Sequence, residues 1–121
     1  SFNRTVNIRK ITKNFSTGKF DNAESYLTEN CSWEIFGEMK LDGKNKILEH
    51  CQNISGYFNS VETEFTTHNV ISNDNSVSIN GRAVFKKDNE IKAIVNSCDV
   101  YEFNNDFKIK KIYSYCIYEN L

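Results

Sequence analysis

Asp99 stands in unusual company for a carboxylic acid. The stretch from Val95 to Cys116 reads as two long strands joined by a polar turn, Asn104-Asn105-Asp106. Side chains on a strand alternate with a period of two, so Val95, Ser97, Asp99, Tyr101 and Phe103 share one face. That face is mainly apolar or aromatic. Buried beside Trp33, Val95, Tyr101 and Ile112, the ionised carboxylate would lose hydration and its pKa would rise. A carboxyl raised in this way can serve as general acid, general base or hydrogen-bond donor near neutral pH. The competing reading is structural: Asp99 pairs with a backbone amide, a tyrosine hydroxyl or Arg82 and only fixes the sheet.

Other groups could share the chemistry. Glu34 should point away from the face that carries Cys31, Trp33 and Ile35, whereas Glu38 lies in a loop from which it could reach inward. His50 flanks the apolar stripe of a helix, and histidine suits proton transfer near neutral pH. His68 has no clear strand parity. Glu38 and His50 are therefore the candidates for a second acid or base. On the last strand Ile112, Ser114 and Cys116 fall on the face of Asp99. With Trp33, Ile35, Tyr57, Phe65, Phe85 and Tyr101 they are the expected lining of a pocket, since ligand sites are mostly apolar with a few polar groups. The same aromatic residues, with Phe58 and Phe103, would equally make the core of a small domain. Tyr26 and Tyr57 offer further hydroxyls. Tyr113, Tyr115 and Ile117 then point outward, and such a contiguous apolar patch marks an interface. A twofold homodimer through this outer sheet face is expected.

The bulk properties narrow the function classes. The chain has 121 residues and a formal net charge of -1, which fits one domain spanning 1–121. A chain of this size buries roughly 65% of its unfolded surface, so it needs no staples. A pI near 6.1 lacks the basic footprint of a nucleic-acid binder. Lys108, Lys110 and Lys111 cluster, but Asp106 and Glu119 are near, and a solvated strand face is expected. Cys31, Cys51, Cys98 and Cys116 are scattered without a Cys-x-x-Cys pair, and no signal peptide is evident. They read as reduced thiols filling a core in a cytoplasmic protein. Their spacing does not suit zinc; neither a metal nor a cofactor is expected. No apolar run reaches membrane-spanning length.

The elements that must position these groups can be read from periodicity. Ile8, Ile11 and Phe15, with Arg4 extending the row, predict a helix over 2–17 capped by Gly18. A shorter helix over 21–28 follows, with Ala23, Tyr26 and Leu27 inward and Asp21 and Glu24 in a capping-box arrangement. Residues 31–36 predict a strand, ended by Gly37. Leu41-Asp42-Gly43 reads as a turn into a third helix over 44–58, whose stripe is Ile47, Leu48, Cys51, Ile54 and Phe58. Thereafter the period is two: strands over 61–72, 77–85 and 90–103, and a last one over 108–118, separated by the turns Asn73-Asp74-Asn75, Lys87-Asp88-Asn89 and 104–106. Helices followed by an antiparallel meander make an α+β domain.

This order resembles the nuclear transport factor 2-like superfamily, and best its SnoaL-like and ketosteroid-isomerase-like branch. The resemblance rests on a helix, Thr17-Gly18-Lys19-Phe20-Asp21, a short helix, the Cys31-Ser32-Trp33-Glu34 strand, Leu41-Asp42-Gly43-Lys44 into a helix, and four antiparallel strands. It covers nearly the whole chain. The implied fold is a cone: a curved antiparallel sheet wrapped around the N-terminal helices and the third helix, with an apolar pocket at the wide end. Homodimers through the outer sheet face are implied as well. Asp99 stands where ketosteroid isomerases hold a carboxylic acid that stays protonated. The position of their general base matches Ile35, and that of their helix-one tyrosine matches Ile11 or a near neighbour, none of which can take over the role. Steroid isomerisation is therefore not expected. Three functions remain open: acid–base chemistry on a small apolar carbonyl compound by isomerase-, cyclase- or hydratase-like proton transfer, binding of such a molecule without chemistry, or a protein-interaction module.

Overall fold

A computed structural model describes residues 2–121. Helix α1 (Phe2–Ser16) and the single turn α2 (Ala23–Tyr26) lead into β1 (Leu27–Ile35) and β2 (Met39–Asp42). Helix α3 (Lys44–Ser60) follows, then β3 (Glu62–Ser72), β4 (Ser76–Lys87), β5 (Glu90–Phe103) and β6 (Ile109–Tyr118). The six strands form one curved sheet in the order β2-β1-β6-β5-β4-β3.

All neighbours are antiparallel except β1 and β6, which run parallel. The four strands after α3 form the antiparallel meander expected from the sequence, and the departure from an antiparallel sheet is confined to the β1–β6 pairing. The first strand pairs with the last because α3 carries the chain from one side of the sheet to the other.

Helix α1 ends as Gly18 predicts. The Lys19 amide donates to Asn14 O and the Gly18 amide to Phe15 O, a double closure that satisfies the free carbonyls of the last turn. Gly18 has φ +79°, and a Cβ there would also run into the Phe58 ring. Gly18→Ala is expected to cost about 1–2 kcal/mol from the left-handed backbone alone and to displace Phe58. Urea unfolding at unchanged m-value checks this.

Two expectations need correction. The second helix keeps only four residues, because Leu27 is already extended at the start of β1. No side chain caps it; Asn22 occupies the left-handed region there, and Asp21 and Glu24 close no capping box. The stretch read as a turn before α3 is the short strand β2, pairing Trp33 with Leu41 and Ile35 with Met39. Four residues with one half-buried side chain leave too little alternation to reveal a strand.

The core lies between α1, α3 and the concave sheet face. Tyr101, Phe103, Ile8, Leu27, Ile47, Ile109 and Ile112 are its largest fully buried side chains. A smaller cluster of Ala83, Phe85 and Val95, with Phe58 and Cys116 against it, lies apart from the main core. At the other end Arg4 ties two hairpin turns together. Its guanidinium donates to the carbonyls of Asp74, Asn104 and Asn105 and sits 4.5 Å from the Phe107 ring centroid. One end of the sheet is therefore stitched and filled, and the other is left hollow.

Candidate functional site

Asp99 sits midway along β5, level with Ile79 on β4 and Ser114 on β6. Direct cross-strand pairing brings the Ser114 hydroxyl to its carboxylate, donating to Oδ1 at 2.6 Å. The second hydroxyl comes from the last residue of α1: Ser16 Oγ donates to Oδ2 at 2.7 Å. The proton directions follow from what lies behind each serine. Trp33 Nε1, which can only donate, gives its hydrogen to Ser114 Oγ at 2.9 Å. With the Ser16 proton on Asp99, the 2.6 Å contact between Ser16 Oγ and Tyr101 Oη is donated by the tyrosine. Two relays, Trp33–Ser114 and Tyr101–Ser16, thus converge on one carboxylate.

Opposing forces act on that group. Burial raises the Asp99 pKa above the usual carboxylate value and is the largest influence; the Ser114 and Ser16 hydrogen bonds pull it down. The net direction is upward. Burial likewise drives the Tyr101 hydroxyl well above its ordinary value, aided by the nearby Asp99 charge.

The carboxylate lies in the wall of an open cavity of about 430 Å³, bounded by the concave sheet, the end of α1 and one side of α3. Its apolar body is a nest of rings: Phe58 lies 5.5 Å from Phe85 and 5.6 Å from Phe65, and Tyr57 lies 5.5 Å from Phe85, centroid to centroid. No lysine or arginine lines it among the described residues. Glu38, His50 and Tyr118 also face it. His50 packs its ring against Trp33, centroids 5.3 Å apart. Burial lowers its pKa while the Glu38 charge works the other way. Burial pushes the Cys116 thiol up to about 11, so it is protonated at neutral pH and no nucleophile.

The cavity brings together Asp99, Trp33, Ile35, Tyr57, Phe65, Phe85, Ser114, Cys116, Glu38 and His50. Two residues expected in its lining are elsewhere. Tyr101 and Ile112 are wholly packed in the main core, because the sheet bends over α1 beyond Asp99 and closes the hollow there. Tyr101 reaches the site only through Ser16. Tyr26 is no substitute donor either: its ring packs on Phe15 and its buried hydroxyl has no partner. His68 falls at the register slip between Thr67 and Asn69 and is exposed. Cys98 is not a core thiol; it contacts the Ser78 hydroxyl on the outer sheet face.

Ser16 was not legible as a site residue. Its signal is faint: it continues Ile8 and Thr12 at four-residue spacing, a polar side chain on an inward row. Among the described residues no three potential metal ligands converge, and no helix is long and apolar enough to cross a membrane.

The chain matches no protein-family model and no curated protein. Among solved structures, it is 31% identical to an NTF2-like protein of unknown function from Cytophaga hutchinsonii, covering 89% of this chain and 94% of that one with a TM-score of 0.79. The chain belongs to the NTF2-like family. Other members of the fold are more distant. A candidate SnoaL-like polyketide cyclase from Jannaschia sp. shares 11% identity over 94% of this chain and 85% of that one, at a TM-score of 0.71. An LEH-like epoxide hydrolase from M. tuberculosis shares 15% over 87% and 75%, at 0.65. These two share the fold with this NTF2-like chain; at such identities activity does not follow from fold. Of the two positions that the resemblance matched to isomerase catalytic groups, Ile35 lies in the cavity wall and Ile11 packs against the core.

Proposed function

We propose that this NTF2-like protein binds a small, neutral, apolar carbonyl compound and that Asp99 moves a proton on it. The observation that carries the reading is the Asp99 carboxylate, raised in pKa and held by two hydroxyl donors in the wall of a ring-lined cavity. The lack of a lining cation argues against anionic ligands, whose charge would meet Glu38 and Asp99 unpaired.

In the proposed step the Asp99 carboxylate takes a proton from the carbon beside the carbonyl. The C–H electron pair moves into an enolate, and an O–H bond forms on Asp99. Returning the proton to a different carbon completes an isomerisation. His50, whose pKa burial lowers, has a ring N–H to offer the developing oxyanion, and Glu38 is the other group able to trade protons. No oxidant or cofactor is required.

The test pairs binding with exchange. Neutral cyclic ketones and enones should raise the melting temperature where carboxylates of the same shape do not. In D₂O the protein should speed deuterium uptake at the carbon next to their carbonyl. A panel in which none binds, or in which the carboxylates bind best, sinks the proposal. A second reading, a binding protein without chemistry, is supported by Ile35, an apolar wall residue at the position of the isomerases' base. It expects stabilisation without deuterium uptake.

We also propose that two copies pair through the outer sheet face. Phe36 stacks on Tyr115 with centroids 4.8 Å apart and continues onto Tyr113, while Ile117 is 69% exposed. Exposed aromatic stacks of this kind are rarely left in water. Sedimentation should find a dimer at micromolar concentration and a monomer for Ile117→Asp; a monomeric parent protein would refute the pairing. The four free thiols support a reducing compartment such as the cytoplasm.

A further inference from the structure

The Asp99 carboxylate borders two hollows, not one. On the side of β3 and β4 a separate recess of about 30 Å³ is lined by Ser16, Thr17, Thr66, Thr67, Ser97 and Asp99, among others. Its shape comes from the sheet. Between Thr67 and Asn69 the β3 register slips, and Gly81 lies level with Thr67. A Cβ at position 81 would run into the Thr66 carbonyl oxygen, so only glycine lets the two backbones come this close.

The recess is water-sized and mixes the hydroxyl-bearing Ser16, Thr17, Thr67 and Ser97 with the apolar Phe65, Ile79 and Ala83. A bound water needs about 10–15 Å³ of probe volume and two to four polar partners. Among the described residues, Thr67 and Ser97 bring half-buried hydroxyl side chains to it, whereas the lining of the large cavity is dominated by rings. Ser16, Phe65, Ala83, Ser97 and Asp99 border both spaces. We infer that this recess binds water beside Asp99, and that the water links the carboxyl to solvent on the β3 and β4 side of the ligand cavity.

The site itself does not depend on what fills the large cavity; its use as a proton inlet rests on Asp99 handling protons as proposed above. A ligand filling that cavity would shut the carboxyl off from solvent on its front. Through the recess water, a proton taken by Asp99 passes to bulk and another returns, with no net change in the group. The charged and titratable groups around Asp99 are Tyr101 behind Ser16, Cys116, His50 and Glu38 toward the main cavity, and Arg82 at the recess. Arg82 is already engaged with Glu119 at 3.1 Å.

The test needs no ligand and no turnover, so it can fail independently of the catalytic proposal. Crystals of the protein should show an ordered water bonded to Ser97 Oγ or Thr67 Oγ1 in the recess. Thr67→Val keeps the shape and deletes one anchor. It should move the Asp99 titration midpoint, followed by its side-chain carboxyl ¹³C shift, further upward, while Thr67→Ser leaves it in place. Should Thr67→Val not fold, Ser97→Ala carries the same expectation. A dry recess, or a midpoint that stays put in the folded variant, overturns the inference.

Discussion

Asp99→Asn is expected to lower proton exchange on a bound ketone by about 10²–10⁴-fold, the usual contribution of a positioned acid or base. Asparagine has nearly the same shape and the pocket persists, so ligand should still raise the melting temperature. Retained exchange in a folded Asn variant would remove Asp99 from the mechanism. The same substitution makes a prediction that needs no ligand. Because the folded pKa of Asp99 is raised, the folded state holds this proton more tightly than the unfolded chain. The stabilisation is fully present below the ordinary carboxyl value of 3.8 and is lost as pH rises through the folded value. Wild type should therefore lose stability relative to the Asn variant over that window. A difference flat across pH in urea titrations would mean that Asp99 is not shifted upward.

Ser16→Ala should destabilise by about 1–3 kcal/mol, the cost of stranding a buried polar group. The Tyr101 hydroxyl is fully buried and its hydrogen bond goes to Ser16. Removing Ser16 leaves it stranded, and removes one of the two donors that restrain the Asp99 pKa, which should climb further. Adding Tyr101→Phe takes away the stranded hydroxyl, so the double variant should recover much of the loss. Such non-additivity marks residues in one hydrogen-bond chain. Strictly additive losses would mean that the relay contributes no coupling.

How much of this was readable beforehand depends on the range of the interaction. The anomaly at Asp99 was visible from strand alternation, a purely local rule. Ser114 and Cys116 followed from the same parity, one strand further on. Trp33 and Ile35 emerged from the first strand, though nothing local said that it would lie parallel to the last. Ser16 stayed hidden because one serine at a helix end resembles any other. Its role exists only because the end of α1 is carried against the middle of β5, 83 residues away in sequence. Tyr101 was misplaced for a related reason. Parity correctly put it on the concave face but could not say where along the strand the hollow gives way to packed core.

Local patterning by itself settled the order of the elements other than β2, the turns between the last four strands and the side of the sheet on which their residues fall. These follow from backbone periodicity and from turn residues acting over a few positions. Tertiary structure alone decided the sheet order, the depth of the hollow and which hydroxyls meet the carboxylate. Those outcomes depend on sheet curvature and on contacts between segments far apart in the chain, and hydrogen bonds of fixed length leave little room for error where they meet.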